Sequence, residues 1–90
     1  METSNLSIGL YPNPATDVVN ITIPSDGSST GNIRVMTIQG QVVMNQSVGL
    51  RSGHNEQQLQ VGHLPAGNYL VQVFRGNGSQ PQTVKMVIGK

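Results

Sequence analysis

Apolar side chains recur at every second position along most of this chain, and that alternation constrains the fold more than any other feature. In one segment, Val19, Ile21 and Ile23 alternate with Asn20 and Thr22. Successive side chains of a β-strand point to opposite faces, whereas an amphipathic helix repeats about every 3.6 residues. The pattern therefore predicts an all-β chain in which each strand buries one face.

The alternation divides into seven short predicted strands separated by polar or proline-rich turns. They cover 6–10, 17–23, 32–38, 41–48, 56–61, 68–75 and 83–88. Pro24 is expected to end the second strand, and Gln39 with Gly40 is expected to form a two-residue hairpin turn in which Gly40 supplies a positive φ. Seven short strands with regular turn signals indicate a seven-stranded, immunoglobulin-like antiparallel β-sandwich with Greek-key connections.

Tyr69 stands near the start of the sixth predicted strand, directly after the turn at 64–67. This position resembles the tyrosine corner of Greek-key sandwiches, in which the hydroxyl bonds to backbone a few residues upstream. A plain buried tyrosine at a strand start fits the same pattern, and the sequence leaves both interpretations open.

Composition narrows the classes of function. Charged residues are 10% of the chain and the net charge is +1, which argues against a nucleic-acid partner. The low charge together with Val and Ile throughout the chain argues against disorder. The lack of cysteine excludes disulfides, thiolate metal sites and a cysteine nucleophile. There is no long apolar run, and residues 1–5 lack the layout of a signal peptide. We expect either a cytosolic chain or the end of a longer precursor, with 1–5 as a linker and 6–90 as one domain.

The chain offers few residues for catalysis or metal binding. Its two histidines, His54 and His63, are expected to flank loops rather than a pocket, and two are too few for zinc. Asp26 with Thr30 and Asn32 offers calcium a single carboxylate, so a polar loop is the favoured interpretation. We predict no catalytic residue, no metal site and no cofactor.

Two features remain, the sequence Tyr11-Pro12-Asn13-Pro14 and the segment 83–90. The first fits a proline-fixed corner between two sheets, because proline cannot donate to a sheet ladder. The second fits a last strand with an exposed edge, which is a template for partner binding by strand addition. Either feature is also compatible with a purely structural role.

Four segments, in order, resemble the C-terminal sorting domains of the type IX (Por) secretion system of Bacteroidetes. They are Leu-Tyr-Pro-Asn-Pro-Ala at 10–15 followed by Val-Val-Asn-Ile at 18–21, the hairpin at 33–43, Leu-Pro-Ala-Gly-Asn-Tyr-Leu-Val-Gln-Val at 64–73, and Thr-Val-Lys-Met-Val-Ile-Gly-Lys at 83–90. The resemblance implies that 6–90 is a C-terminal secretion signal attached to an N-terminal cargo protein.

The resemblance also implies a route and a set of partners. The cargo enters the periplasm through a separate N-terminal signal and is directed across the outer membrane by a translocon or shuttle of the type IX system. A sortase-like protease then usually removes the domain, and the cargo is attached to the cell surface or released. The domain itself is not expected to be an enzyme.

The residues expected to be recognised lie at the proline corner, the turn before the sixth strand and the last strand. They are Tyr11, Pro12, Asn13, Pro14, Gly67, Tyr69, Val84, Lys85, Met86, Val87, Ile88 and Lys90. Gly40 is expected to be a structural turn residue. Because the domain carries little charge, we expect a partner to recognise its shape and its terminal strand.

Two alternatives stay open. An immunoglobulin-like adhesive or structural binding module would show an aromatic or polar cluster on its loops, and the loops here carry Ser, Gly and Asn with no aromatic residue. The first predicted strand stands alone before the proline-rich corner, which favours exchange of 6–10 between two copies to form a strand-swapped homodimer.

Overall fold

Seven β-strands make up the regular structure of this computed structural model, which describes residues 8–25, 27–76 and 81–89. The strands are β1 (Gly9–Tyr11), β2 (Val18–Ser25), β3 (Ser29–Thr37), β4 (Val42–Leu50), β5 (Gly53–Gln60), β6 (Gly67–Phe74) and β7 (Gln82–Ile88). No helix occurs among the described residues, so the all-β prediction is confirmed.

The strands form two antiparallel sheets, one of three strands in the order β1-β2-β5 and one of four in the order β4-β3-β6-β7. Alternate side chains of both sheets meet in a single apolar core. Its largest fully buried side chains are Ile21, Ile23, Ile33, Leu59, Met86, Ile88, Val19, Val35, Val61, Val71 and Val73. The predicted inward face of the second strand is therefore confirmed.

The first two strands extend beyond the ends predicted for them. Tyr11 does not stop the first strand but is its last residue, paired with Asn20. Pro24 does not end β2, which continues to Ser25. The described part of β1 begins at the pair Gly9–Thr22 and does not reach Pro24, so the missing N–H of this proline interrupts no ladder with β1.

The loop of the hairpin between β3 and β4 has three residues, 38–40, enclosed by the bonded pair Thr37 and Gln41, so the predicted two-residue turn is wrong. The Gly40 N–H donates to the Thr37 carbonyl at 2.9 Å, and the Thr37 N–H donates to the Gln41 carbonyl at 2.8 Å. Gly40 has φ +98°, as predicted, and provides the left-handed residue that closes a three-residue loop. Ile38 consequently lies in the turn rather than in β3.

The side chain of Tyr69 ties the start of β6 to the preceding turn. Its ring is 6% exposed, and its hydroxyl donates to the Pro65 carbonyl at 2.6 Å. A buried phenol needs such a partner, because an unpaired hydroxyl in the core is costly. The upstream backbone bond predicted for a tyrosine corner is therefore present.

Candidate recognition surface

The segment after β1 passes from the three-stranded sheet to the edge of the four-stranded one. Ala15 forms a parallel bridge with Ile88. Its N–H donates to the Val87 carbonyl at 2.8 Å, and its carbonyl accepts from the Gly89 N–H at 2.9 Å. The peptide bonds preceding Pro12 and Pro14 are both cis. The proline corner thus joins the two sheets through backbone contacts with the last strand.

The side chain of Asn13 extends this contact further along β7. Its Oδ1 accepts from the Val87 N–H at 3.0 Å, and its Nδ2 donates to the Lys85 carbonyl at 3.3 Å. A carboxamide carries the same donor and acceptor groups as a peptide unit, so it substitutes for a neighbouring strand. Together, Asn13 and Ala15 cover the outer edge of β7 from Lys85 to Gly89.

This cover changes the prediction that the last strand presents a free edge. In an antiparallel strand alternate residues direct both backbone groups away from the paired neighbour. On β7 the outward groups of Val87 are already bonded within the chain. Strand addition along the second half of β7 would have to displace Asn13 and Ala15. Within the described residues, the edge that lacks this cover is the first half of the strand, around Thr83.

The residues of the last strand divide between the core and the surface. Met86 and Ile88 are 0% and 1% exposed, and Val84 packs against the core. Lys85 is exposed and Val87 is half-buried on the outer face. A partner that meets the folded domain can therefore contact the side chains of Lys85 and Val87, whereas Met86 and Ile88 hold the sheet together.

Gly67 and Tyr69 are brought next to this end of β7. Gly67 pairs with Ile88 and Tyr69 with Met86. Gly67 is exposed with φ +152°, a backbone conformation that favours glycine, whereas Tyr69 is a core residue. Because Tyr69 also pairs with Thr37, the turn that contains Gly40 lies at the same end of the sheet. The fold thus brings together the turns and strand ends of all four predicted motifs.

Tyr11 lies at the other side of the corner, on the outer face of the three-stranded sheet. The residue is 47% exposed, and its hydroxyl donates to Glu56 Oε2 at 2.5 Å. This hydrogen bond raises the pKa of the Tyr11 phenol, with smaller contributions from burial and from the charge of Glu56. The interaction holds the tyrosine against β5 while leaving much of the ring accessible.

The remaining predicted candidates do not gather into a site. His54 is the second residue of β5, beside the loop at 51–52, and His63 lies in the turn that follows β5; both are exposed. The described residues contain no cluster of three or more metal-binding side chains and no cavity for a small ligand. Asp26, Lys90 and the first predicted strand before Ile8 lie outside the described residues.

One contributor to the corner was missed by sequence reasoning. Ala15 is fully buried and makes two backbone hydrogen bonds to the last strand. Its small side chain fits the point where the corner approaches β7, but nothing in local composition distinguishes it from other alanines. The contact depends on residues more than 70 positions away, as the Asn13 bonds to Lys85 and Val87 also do.

These features define a small two-sheet β-domain whose proline corner closes onto its last strand. Residues 9–89, nearly the whole chain, match the family described as the secretion system C-terminal sorting domain, and the chain belongs to that family. It is a C-terminal sorting signal of the type IX secretion system. The family is not one of enzymes, and such a signal interacts with the type IX machinery as cargo bound for the outer membrane or cell surface.

No curated protein matches the chain. Within the described residues, no helix has the length and hydropathy needed to span a membrane.

Proposed function

We propose that this sorting signal is read as a folded domain, at the end of the four-stranded sheet where the proline corner meets the last strand. The partner is the translocon or shuttle of the type IX system at the outer membrane. The residues that carry recognition are those of the corner, Tyr11 to Pro14, with Gly67, Lys85, Val87 and Lys90. Tyr69, Val84, Met86 and Ile88 contribute by holding this surface in shape.

The observation that carries the proposal is the pair of hydrogen bonds made by Asn13. One amide side chain bonds the backbone of both Lys85 and Val87. It therefore links two motifs that lie at opposite ends of the sequence. A partner contacting either motif meets a surface whose geometry depends on the other.

The strand orders support an immunoglobulin-like Greek-key arrangement for this domain. The first, second and fifth strands share one sheet, and the third, fourth, sixth and seventh share the other. That division is compatible with the seven-stranded sandwiches in which the chain crosses between sheets at its corners. The Tyr69 bond to Pro65 fits the corner of such a sandwich.

After transit from the periplasm, the sorting domain is removed by a sortase-like protease and the cargo is attached to the surface or released. The support is topological. β1 is the first strand of the described sandwich and is only three residues long. A cut on its N-terminal side, in the linker proposed for residues 1–5, would release the cargo and leave the sandwich intact.

The test is fusion of residues 1–90 to a reporter that reaches the periplasm through its own N-terminal signal, in a type IX-competent bacterium. The unaltered fusion is expected at the cell surface or in the medium. The variant Asn13→Ala should lower delivery, whereas Gln60→Ala, an exposed amide of β5 on the other sheet, should leave it unchanged. A reporter that stays in the periplasm in every case would instead favour an adhesive or structural module.

A further inference from the structure

The outer face of the four-stranded sheet carries a row of apolar side chains that the sorting motifs do not include. Val42 pairs with Met36 across β4 and β3, Met36 pairs with Leu70 on β6, and Leu70 pairs with Lys85 on β7. Since directly paired residues of a sheet lie on the same face, these four side chains form one line across the sheet.

Two more apolar residues extend this line toward the end of the sheet. Val87 lies two residues beyond Lys85 and so on the same face of β7. Ile38 is the first residue of the turn after β3, two positions beyond Met36. The resulting outer apolar patch consists of Met36, Ile38, Val42, Leu70 and Val87.

The outer apolar patch faces away from the core. Ile38 is 62% exposed and Val42 is 45% exposed. Met36, Leu70 and Val87 are half-buried, and they are not among the partly buried residues that pack against the core. Contiguous apolar side chains in contact with water are typical of protein interaction sites.

The opposite outer face of the domain shows no such patch. There β2 and β5 present mostly polar side chains, namely Asn20, Thr22, Glu56, Gln58 and Gln60, and the apolar side chains of this face are Val18 and Tyr11. Both sheets follow the same alternation, so a solvated outer face would have been equally available to β3 and β6. The difference in polarity indicates that the outer faces of the two sheets contact different surroundings.

Charge distinguishes the two faces as well. Arg34 and Lys85 lie on the outer face of the four-stranded sheet, and the Arg34 guanidinium lies 4.9 Å from the centre of the Phe74 ring. Among the described acidic residues, Glu56 lies on the other sheet and Asp17 immediately precedes β2. A surface complementary to this face is therefore apolar at its centre and carries carboxylates at its rim.

We propose that the outer apolar patch docks onto a protein of the secretion machinery through such an apolar surface with an acidic rim. The inference rests on the proposed function and adds β3, β4 and the outer face of β6 to the recognised surface. It is continuous with the corner through Lys85 and Val87. Val87 contributes its side chain to the patch while its backbone bonds Asn13 and Ala15.

Two other occupants fit the observations less well. Anionic membranes are recognised by clusters of about four to eight basic residues, whereas this face presents Arg34 and Lys85. A second copy placed face to face would offer Arg34 and Lys85 again and none of the described carboxylates, so it lacks the acidic rim that this face requires. A protein partner with carboxylates agrees with both the apolar centre and the charge.

The first test uses the reporter fusion of residues 1–90 with the double variant Ile38→Ser, Val42→Thr. Both side chains are exposed, so the melting temperature should stay close to that of the unaltered chain. Delivery should fall at least about tenfold, the loss expected when central contacts of an interface are truncated. The matched control is the double variant Gln58→Ser, Gln60→Thr on the opposite face, which should deliver the reporter normally.

The second test reverses charge at single exposed positions and does not depend on the apolar variants folding. Lys85→Glu should lower delivery, whereas Arg51→Glu, the same charge change in the loop between β4 and β5, should not. A photo-crosslinker at position 42 should attach to an identified component of the secretion machinery, and one at position 58 should not.

The outcomes separate this inference from the proposed function. If the unaltered fusion is not delivered, the proposed function fails. If the unaltered fusion is delivered and the Ile38→Ser, Val42→Thr variant is delivered equally well, the inference alone is overturned. Binding of the purified chain to anionic phospholipid vesicles, or a dimer that Ile38→Ser with Val42→Thr dissociates, would also overturn it, because the occupant would then be a membrane or a second copy.

Discussion

Replacement of Asn13 by alanine is the most direct perturbation of the contact between the proline corner and the last strand. The change removes the acceptor of the Val87 N–H at 3.0 Å and the donor to the Lys85 carbonyl at 3.3 Å. It leaves the two backbone bonds of Ala15 in place. The corner should therefore stay attached at one point and loosen at the other.

The expected loss of stability follows from these two hydrogen bonds. A neutral hydrogen bond contributes about 0.5–1.5 kcal/mol net. Both of these lie at an edge that water can reach, so no buried group is left unsatisfied and each bond is expected in the lower part of that range, about 0.5–1 kcal/mol. We expect Asn13→Ala to lower the free energy of unfolding by about 1–2 kcal/mol. For a domain of this size that corresponds to a fall of about 4–16 °C in the melting temperature.

Thermal unfolding followed by circular dichroism measures the total effect, and amide hydrogen exchange locates it. Exchange of the Val87 amide should accelerate more than that of Val71, which lies in the core of β6. Asn45→Ala is the matched control, with an expected change within about 0.5 kcal/mol. If Asn13→Ala melts with the unaltered chain and exchange at Val87 is unchanged, the side-chain bonds do not secure the last strand, and the link between the two motifs fails.

Three further substitutions test other parts of the structure. Glu56→Gln should lower the pKa of Tyr11 toward its ordinary value, which the absorbance of the phenolate measures. Because folding raises this pKa, the hydrogen bond between Tyr11 and Glu56 is present at neutral pH and is lost as pH rises through the raised value. Tyr69→Phe should lower the free energy of unfolding, measured with denaturant, by about 1–3 kcal/mol, because it removes the hydroxyl that donates to the Pro65 carbonyl. Met86→Ala should lower the free energy of unfolding by about 2–5 kcal/mol because Met86 is fully buried. Val87→Thr on the outer face should change it by less than about 1 kcal/mol. Equal losses would contradict the assignment of Met86 to the core and Val87 to the surface.

The strands could be predicted from the sequence because their signal is local. Alternation at Val19, Ile21 and Ile23 reflects which side chains leave water, and the structure buries all three. Gly40 was predictable for a similar reason, since the hairpin needs a left-handed residue there. Its loop length was not, because Ile38 is apolar enough to continue β3 and only the Thr37 bonds to Gly40 and Gln41 show where the strand ends.

The candidate site depended on contacts that local patterns do not encode. The proline corner and the last strand were each predicted as features, but their contact is made across more than 70 residues. The sequence already shows that Met36 and Leu70 point outward, because they alternate with the buried residues of β3 and β6. They become visible as part of a patch only when the strand pairs place them side by side.

The burial pattern of β7 decides how recognition by the last strand can be examined. Truncation of 87–90 would remove Ile88 from the core and the backbone groups of Val87 that bond Asn13 and Ala15. Loss of secretion after such a deletion would follow from unfolding as readily as from loss of a contact surface. Outward substitutions on this strand, at Lys85 or the Val87 side chain, change the surface that a partner contacts while the core remains filled. A signal that is read on a folded domain must respond to those two positions at constant stability, and one that is read as an extended peptide would respond equally to Met86.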